Sequence, residues 1–486
     1  MKPVSLRNYR RLTALTATLA LLSACGGGGG GTTSTGGGGS GGGTGSTPTP
    51  SASTCSLSAR QQWVGQQMNE WYLFPETLPA SINPALYSSV DDYLDALTAT
   101  ARAQNKDRYF TYITSIAEEN AYYNSGSNAG YGFRLALDVS GRLFLTEAFE
   151  GTPALNAGMD RGTEIVAVGT SPSNLRNVSD ILATQGSAGL SSALNPNTLT
   201  FRFIARGSST TQTATMTKTD YTLTPVSSRY GAKVIDDAGK KVGYINLRTF
   251  INTAATPLRN AFADFRAQGI TEVIIDLRYN GGGLVSIADL MNNLLARDKT
   301  TSQVANYVAF RASKSSNNET VYFAPQSESI APTKVAFIGT GGSASASELV
   351  MNTFIPYLGA NGALVGTNTY GKPVGQIAID RSACDDRLRV VAFALENSAR
   401  QGAYYNGLAE FMGTTCRASD DISYPLGDPQ EASTKAALNF LAGRSCTPIG
   451  GVATATLARG AGGDARMELL QPARPSTAQR EVPGLF

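Results

Sequence analysis

The chain has 486 residues, and 40 Lys and Arg against 37 Asp and Glu leave a net charge of only +3. So small an excess, with no interleaved basic patch, argues against nucleic acid as a partner. It contains no histidine, which excludes a Ser-His-Asp triad, a Cys-His dyad and the usual His-ligated metal sites of hydrolases.

The chain begins Met1-Lys2, with Arg7, Arg10 and Arg11 ahead of an apolar stretch from Leu12 to Leu22 and then Ser23-Ala24-Cys25. A basic start and a short apolar segment predict a signal peptide over 1–24, too short to span a bilayer. Leu22-Ser-Ala-Cys25 resembles a bacterial lipobox, which implies cleavage before Cys25 and a diacylglycerol on its sulfur. The expected location is therefore the cell envelope. Gly26 after the cysteine is compatible with outer-membrane sorting, facing the periplasm or the cell surface. Residues 25–54 are nearly all Gly, Ser, Thr and Pro after the cysteine and predict a flexible tether.

Four further cysteines, Cys55, Cys384, Cys416 and Cys446, suggest two disulfides in an exported protein, with three possible pairings. Cys384–Cys416 with Cys55–Cys446 is preferred. Residues 55–125 read as a helical N-terminal domain, with apolar and aromatic residues at helical intervals over Gln61–Tyr72 and a second helix over Val90–Arg102. Asp107-Arg-Tyr-Phe-Thr-Tyr112 is a short aromatic segment.

Short strands take over from Gly126. Gly130-Tyr131-Gly132-Phe133 opens an alternating strand to Leu137, and Leu143–Phe149 is another. A short helix is expected within Gly151–Gly158, then Met159–Gly169, with a closing hairpin over Thr198–Lys218. This order, over 126–220, resembles a PDZ domain. The resemblance implies that Gly130, Tyr131, Gly132 and Phe133 bind a peptide C-terminal carboxylate, by loop N–H groups and addition of a strand at the sheet edge.

From residue 221 strands alternate with helices, which argues a largely parallel α/β core. Two glycine-rich turns fall at strand ends, Tyr279-Asn-Gly-Gly-Gly283 after Ile270–Arg278, and Thr340-Gly-Gly-Ser-Ala-Ser-Ala-Ser-Glu348 after Lys334–Gly339. Open α/β sheets place their sites there. A serine on a strand-to-helix turn has an exposed hydroxyl beside unpaired helix N–H groups, which suits acyl transfer. Without histidine the base left is lysine, and Lys372 follows in Gly371-Lys-Pro-Val-Gly-Gln376. It must be neutral to act, so its pKa has to fall. Taken singly, the serine turn is an ordinary capped helix start and Gly-Lys-Pro a surface turn; together they favour chemistry. Glu348 reads as a first-turn carboxylate favoured by the helix dipole. The remaining residues, 447–486, rich in Ala, Gly, Arg and Pro, read as a disordered tail.

A secretion signal, a helical segment, a PDZ-like region, Asp276-Leu-Arg-x-Asn-x-Gly-Gly, Ser343-Ala-Ser-Ala-Ser-Glu348 and Gly-Lys-x-x-x-Gln together resemble the carboxyl-terminal processing, or tail-specific, serine peptidases over about residues 56–446. The resemblance implies a multidomain α/β protein with a ClpP/crotonase-like core over 221–446. It also implies a serine-type endopeptidase that cuts proteins near unstructured C-termini and needs no cofactor or metal. Ser345 would be the nucleophile, Lys372 the base and Gln376 its orienting partner, with Ala346 and Gly282 N–H groups as oxyanion hole. The family usually carries Pro where Gly281 stands and Gly where Pro373 stands. The spacing of Ser345 and Lys372 (372 − 345 = 27) is slightly longer than expected. The alternatives are a non-catalytic peptide-binding envelope lipoprotein and, further off, an unrelated hydrolase or carbohydrate-binding surface protein.

Overall fold

The computed structural model of the chain describes residues 54–450 and 467–486; the signal segment, Cys25 and the linker to residue 53 lie outside the described residues. The centre is a six-stranded sheet in the order 232–237, 240–246, 272–276, 334–339, 362–366 and 414–417. All neighbours from Lys240–Asn246 onward are parallel, and only the first pair is an antiparallel hairpin. Side chains alternate across its plane. Val273, Ile275, Val335 and Phe337 face the helices Ala255–Ala267, Val285–Leu294 and Ala346–Leu358. Ile274, Ala336 and Ile338 face Ala432–Leu441. Both faces are covered, which is why these strands are continuous apolar runs.

A second sheet is built on the long strand Asp386–Asn397. One edge pairs with Val374–Arg381, and the other with Tyr112–Ser115 and Val304–Phe310. The aromatic segment before Tyr112 therefore leads into a strand of this sheet. The N-terminal helices Leu57–Trp71, Val90–Leu97 and Ala99–Ala103 do not stand apart either. Val64, Met68, Tyr93, Leu94 and Ala101 share one core with Val374, Leu388, Val390 and Val391. The disulfides are Cys55–Cys384 and Cys416–Cys446, correcting the preferred pairing. Cys55 stands just before the first helix, which lies on the second sheet beside the turn Ser382–Cys384, and Cys416 projects from the last strand of the central sheet beside Cys446.

A third, antiparallel sheet holds Phe133–Leu137, Leu143–Ala148, Glu164–Gly169, Thr198–Ile204 and Thr211–Thr217. The short helix Pro153–Asn156 falls where expected, and a longer one, Val178–Ala193, kinked at Gly186, fills a stretch left unassigned from sequence. Its core is a separate cluster around Tyr131, Phe133, Leu145, Ile165, Phe201 and Phe203.

The reading of 447–486 as disordered fails over 467–486. Glu468–Leu469 pairs with Ala136 and Leu137, and Thr477–Glu481 is a helix with a Ser476/Gln479 capping box. Phe486 N–H donates to Phe133 O at 3.0 Å. Composition concealed this because apolar residues are few; Leu470, Ala478, Val482, Leu485 and Phe486 are nevertheless all buried.

Candidate active site

The strand Lys334–Gly339 runs into a turn whose serines have different surroundings. Ser343 Oγ donates to Leu277 O at 2.7 Å and Ser347 Oγ to Asn280 O at 2.9 Å, and both residues are fully buried. Those two hydroxyls tie the turn to the neighbouring strand end. Ser345 is partly exposed and stands at the start of the helix Ala346–Leu358 with φ 54° and ψ −113°. A non-glycine residue with positive φ is held only by surroundings that compensate the strain.

Glu348 supplies that hold. Its carboxylate is completely buried and accepts from Ser345 N–H at 3.0 Å and Lys372 N–H at 2.7 Å, both on Oε2. Oε1 accepts from Thr369 Oγ1 at 2.6 Å and Gly371 N–H at 2.7 Å. Burial raises its pKa, and these four donors oppose that rise. One oxygen thus fixes the backbones of both Ser345 and Lys372. The first-turn reading of Glu348 missed this, because Thr369, Gly371 and Lys372 lie more than twenty residues away and no local pattern reports them.

Lys372 enters the strand Val374–Arg381, whose register slips between Gly375 and Gln376. Its ammonium donates to Gln376 Oε1 at 3.1 Å and lies 5.2 Å from the centre of the Phe110 ring. Gln376 Nε2 in turn donates to Phe110 O. Burial pushes the Lys372 pKa below the ordinary lysine value, while the charge of Glu481 pulls it back up.

The second glycine turn meets the first at close range. A Cβ on Gly282 would lie 2.9 Å from Ser345 Cβ and 3.1 Å from Ala346 N, and Gly282 has φ 122°. Ala346 is the first helical residue, so its N–H has no acceptor within the helix. The Gly282 N–H, by contrast, donates to Asn280 Oδ1 at 2.9 Å, and Gly281 N–H donates to Glu481 O at 2.9 Å. Asn280 and Glu481 are site residues that sequence reasoning missed. Glu481 had no signal, lying in a stretch read as disordered, whereas Asn280 was visible within its glycine turn.

At the third sheet, Gly132 N–H donates to Phe486 O at 3.0 Å, and Phe486 N–H to Phe133 O at 3.0 Å. A Cβ on Gly130 would stand 3.0 Å from Phe486 C. Tyr131 and Phe133 are fully buried, their rings stacked 5.6 Å apart. These four residues thus lie together at the edge of the third sheet, in contact with Phe486.

Residues 241–397 match the model of peptidase family S41, and residues 59–112 that of the peptidase S41 N-terminal domain. The chain is a homologue of the S41 peptidases. It is 28% identical over 271 residues to a chloroplastic C-terminal processing peptidase of Tetradesmus obliquus, covering 53% of this chain and 54% of that one. It is 24% identical over 262 residues to a carboxyl-terminal-processing protease of Synechocystis, covering 53% and 56%. The chain thus spans about half the length of the curated relatives it matches. A crystal structure from Bacteroides fragilis assigned to the S41 proteases aligns with TM-score 0.61 and 21% identity, over 78% of this chain and 97% of that one. At that identity the likeness shows a shared S41 fold. The family matches cover Ser345, Lys372, Gln376, Gly282 and Glu348, and leave the third sheet and the terminal segment outside.

Proposed function

We propose that this S41 homologue is a serine endopeptidase with a Ser345–Lys372 dyad, acting on proteins whose unstructured C-termini are captured by a PDZ-like third sheet. The observation that carries this reading is the Glu348 carboxylate oxygen shared by the Ser345 and Lys372 backbones, beside a glycine turn. Neutral Lys372 Nζ takes the Ser345 Oγ proton as Oγ bonds to the scissile carbonyl carbon. The oxyanion receives the Ala346 N–H and an N–H of the Gly281–Gly282 turn, with Gly282 turning from Asn280 Oδ1 to the oxyanion. Collapse breaks the C–N bond, and the Lys372 ammonium returns its proton to the leaving amine. Water then attacks the acyl ester, Lys372 again accepting a proton, and Ser345 Oγ is regenerated. Gln376 orients the lysine throughout, and no metal or cofactor takes part. Cys25 carries the lipid that anchors the protein in the cell envelope, with the outer membrane as the proposed location.

Cleavage of casein by the wild-type chain, Ser345→Ala and Lys372→Ala tests this. Turnover by wild type and none by either folded variant supports the dyad. An inert wild type that still binds C-terminal peptides replaces it with a binding lipoprotein.

A further inference from the structure

The lysine of the proposed dyad is held by a segment that belongs to the N-terminal helices. Residues 104–111 follow the helix Ala99–Ala103, and Asp107 sets their course. Its carboxylate is completely buried. Oδ1 accepts from Phe110 N–H at 2.7 Å and Thr111 N–H at 3.1 Å. Oδ2 accepts from Thr111 Oγ1 at 2.7 Å and Tyr72 Oη at 2.9 Å. Tyr72 stands at the C-terminal cap of the first helix. Four donors on one buried carboxylate hold residues 107–111 to a single path, with Tyr109 at φ 62°.

The two residues flanking Tyr109 both reach the lysine loop. Arg108 Nη2 donates to Tyr370 O and Gly371 O at 2.7 Å each, and to Tyr405 O at 3.2 Å. Its guanidinium lies 4.2 Å from the Tyr370 ring centre. Phe110 meets the far end of the lysine: its ring is 5.2 Å from Nζ, and its carbonyl accepts from Gln376 Nε2. The backbone around Gly371 is therefore gripped on both edges. Glu348 takes the N–H groups of Gly371 and Lys372, and Arg108 takes the carbonyls of Tyr370 and Gly371. Gly371 itself has φ 92°, and a Cβ on it would stand 2.3 Å from Tyr405 O. A carboxylate alone fixes one edge of such a loop and lets it pivot. A cation on the carbonyl edge, making charge-assisted hydrogen bonds, removes that pivot.

We propose that Arg108 is a positioning residue for the base, clamping Tyr370 and Gly371 so that Lys372 Nζ stays against Gln376 and the Phe110 ring. This rests on the dyad reading above. It adds that the N-terminal helices are part of the catalytic unit: the site is complete only with residues 107–111 seated on the lysine loop.

The test compares the full-length wild type with Arg108→Met, Arg108→Lys and, as control, Arg102→Met. Arg102 belongs to the same region and lies 4.2 Å from the Tyr109 ring centre, on no atom of the lysine loop. Two quantities are measured: casein turnover, and hydrogen exchange at the Gly371 and Lys372 amides. Arg108→Met should lower kcat at least about ten-fold with little change in KM, as a misplaced base does. It should also speed exchange at both amides. Arg108→Lys keeps a cation but not the planar fork, and should recover part of kcat. Wild-type kcat and exchange in Arg108→Met overturn the proposal, and so does an equal loss in Arg102→Met. Should Arg108→Met fail to fold, Arg108→Lys decides alone: a lowered kcat supports the clamp, and an unchanged one overturns it. If the wild type cuts no casein yet Arg108→Met speeds exchange at Gly371 and Lys372, the clamp stands and the dyad reading falls.

Discussion

At the scale of single residues, Glu348 ties the Ser345 backbone to that of Lys372, so its replacement tests the proposed dyad. Replacing it by Gln keeps the size and one acceptor but sets an NH2 against N–H donors. Glu348→Gln should lower casein turnover by about 100-fold, since a nucleophile displaced by about 1 Å loses that much. The loss should fall on kcat, with little change in KM, because the proposed capture groove is untouched; a rise in KM alone would reject positioning. The pH profile tests Lys372. Burial lowers its pKa from the ordinary 10.5, and only the neutral amine accepts a proton. Turnover should therefore rise with pH and level off below that value. Glu481 favours the charged lysine, so Glu481→Gln should move the rise to lower pH. A flat profile from about pH 6 to 9 would count against lysine as base.

Among the elements, the sequence revealed the parts with local signatures. The strands at Ile270–Arg278 and Lys334–Gly339, and the alternation of strands with helices after residue 221, were legible because apolar runs and flanking glycines mark them. What escaped notice depends on long-range contact: Glu348 reaching Lys372, Tyr112–Ser115 joining Asp386–Arg389, and the terminal helix meeting Gly281. The Gly281 departure from the family pattern has a physical reason in that last contact. A proline there would have no N–H for Glu481 O, and its Cβ would stand 2.1 Å from Arg480 O. Disulfide pairing was equally out of reach, since four cysteines are compatible with every pairing until the fold brings them together. Cys55–Cys384 pins the first helix to the second sheet across a separation of 329 residues. Replacing both cysteines by serine should lower unfolding stability by about 2–4 kcal/mol in a denaturant titration. No change would show that packing alone holds the helix.

For the molecule as a whole, buried charges join the third sheet to the core. Arg161, at the turn before Glu164–Gly169, donates to Asp420 at 2.6 Å, Tyr279 Oη at 3.0 Å and Tyr424 O at 2.9 Å. Arg278 meets the same Asp420 at 3.0 Å and is clasped by Glu431 and Asp276. Burial alone would raise the Asp420 pKa; Arg161 and Arg278 overcome it and push the pKa down to about 2. A carboxylate with a depressed folded pKa stabilises above its unfolded value, near 4, and that contribution is lost as pH falls towards about 2. Arg161→Met should therefore cost about 3 kcal/mol at pH 7, and less at pH 3, where Asp420 begins to protonate once its partner is removed. Equal losses at both pH values would mean that the arginine acts only by filling space.

The seating of Phe486 against Gly132 and Phe133 is a contact made by a segment of the same chain. A segment joined to the surface it packs on is present at a fixed local concentration, on the order of millimolar for a short connection. Diluting the protein leaves that concentration unchanged, so this pairing should hold at any protein concentration.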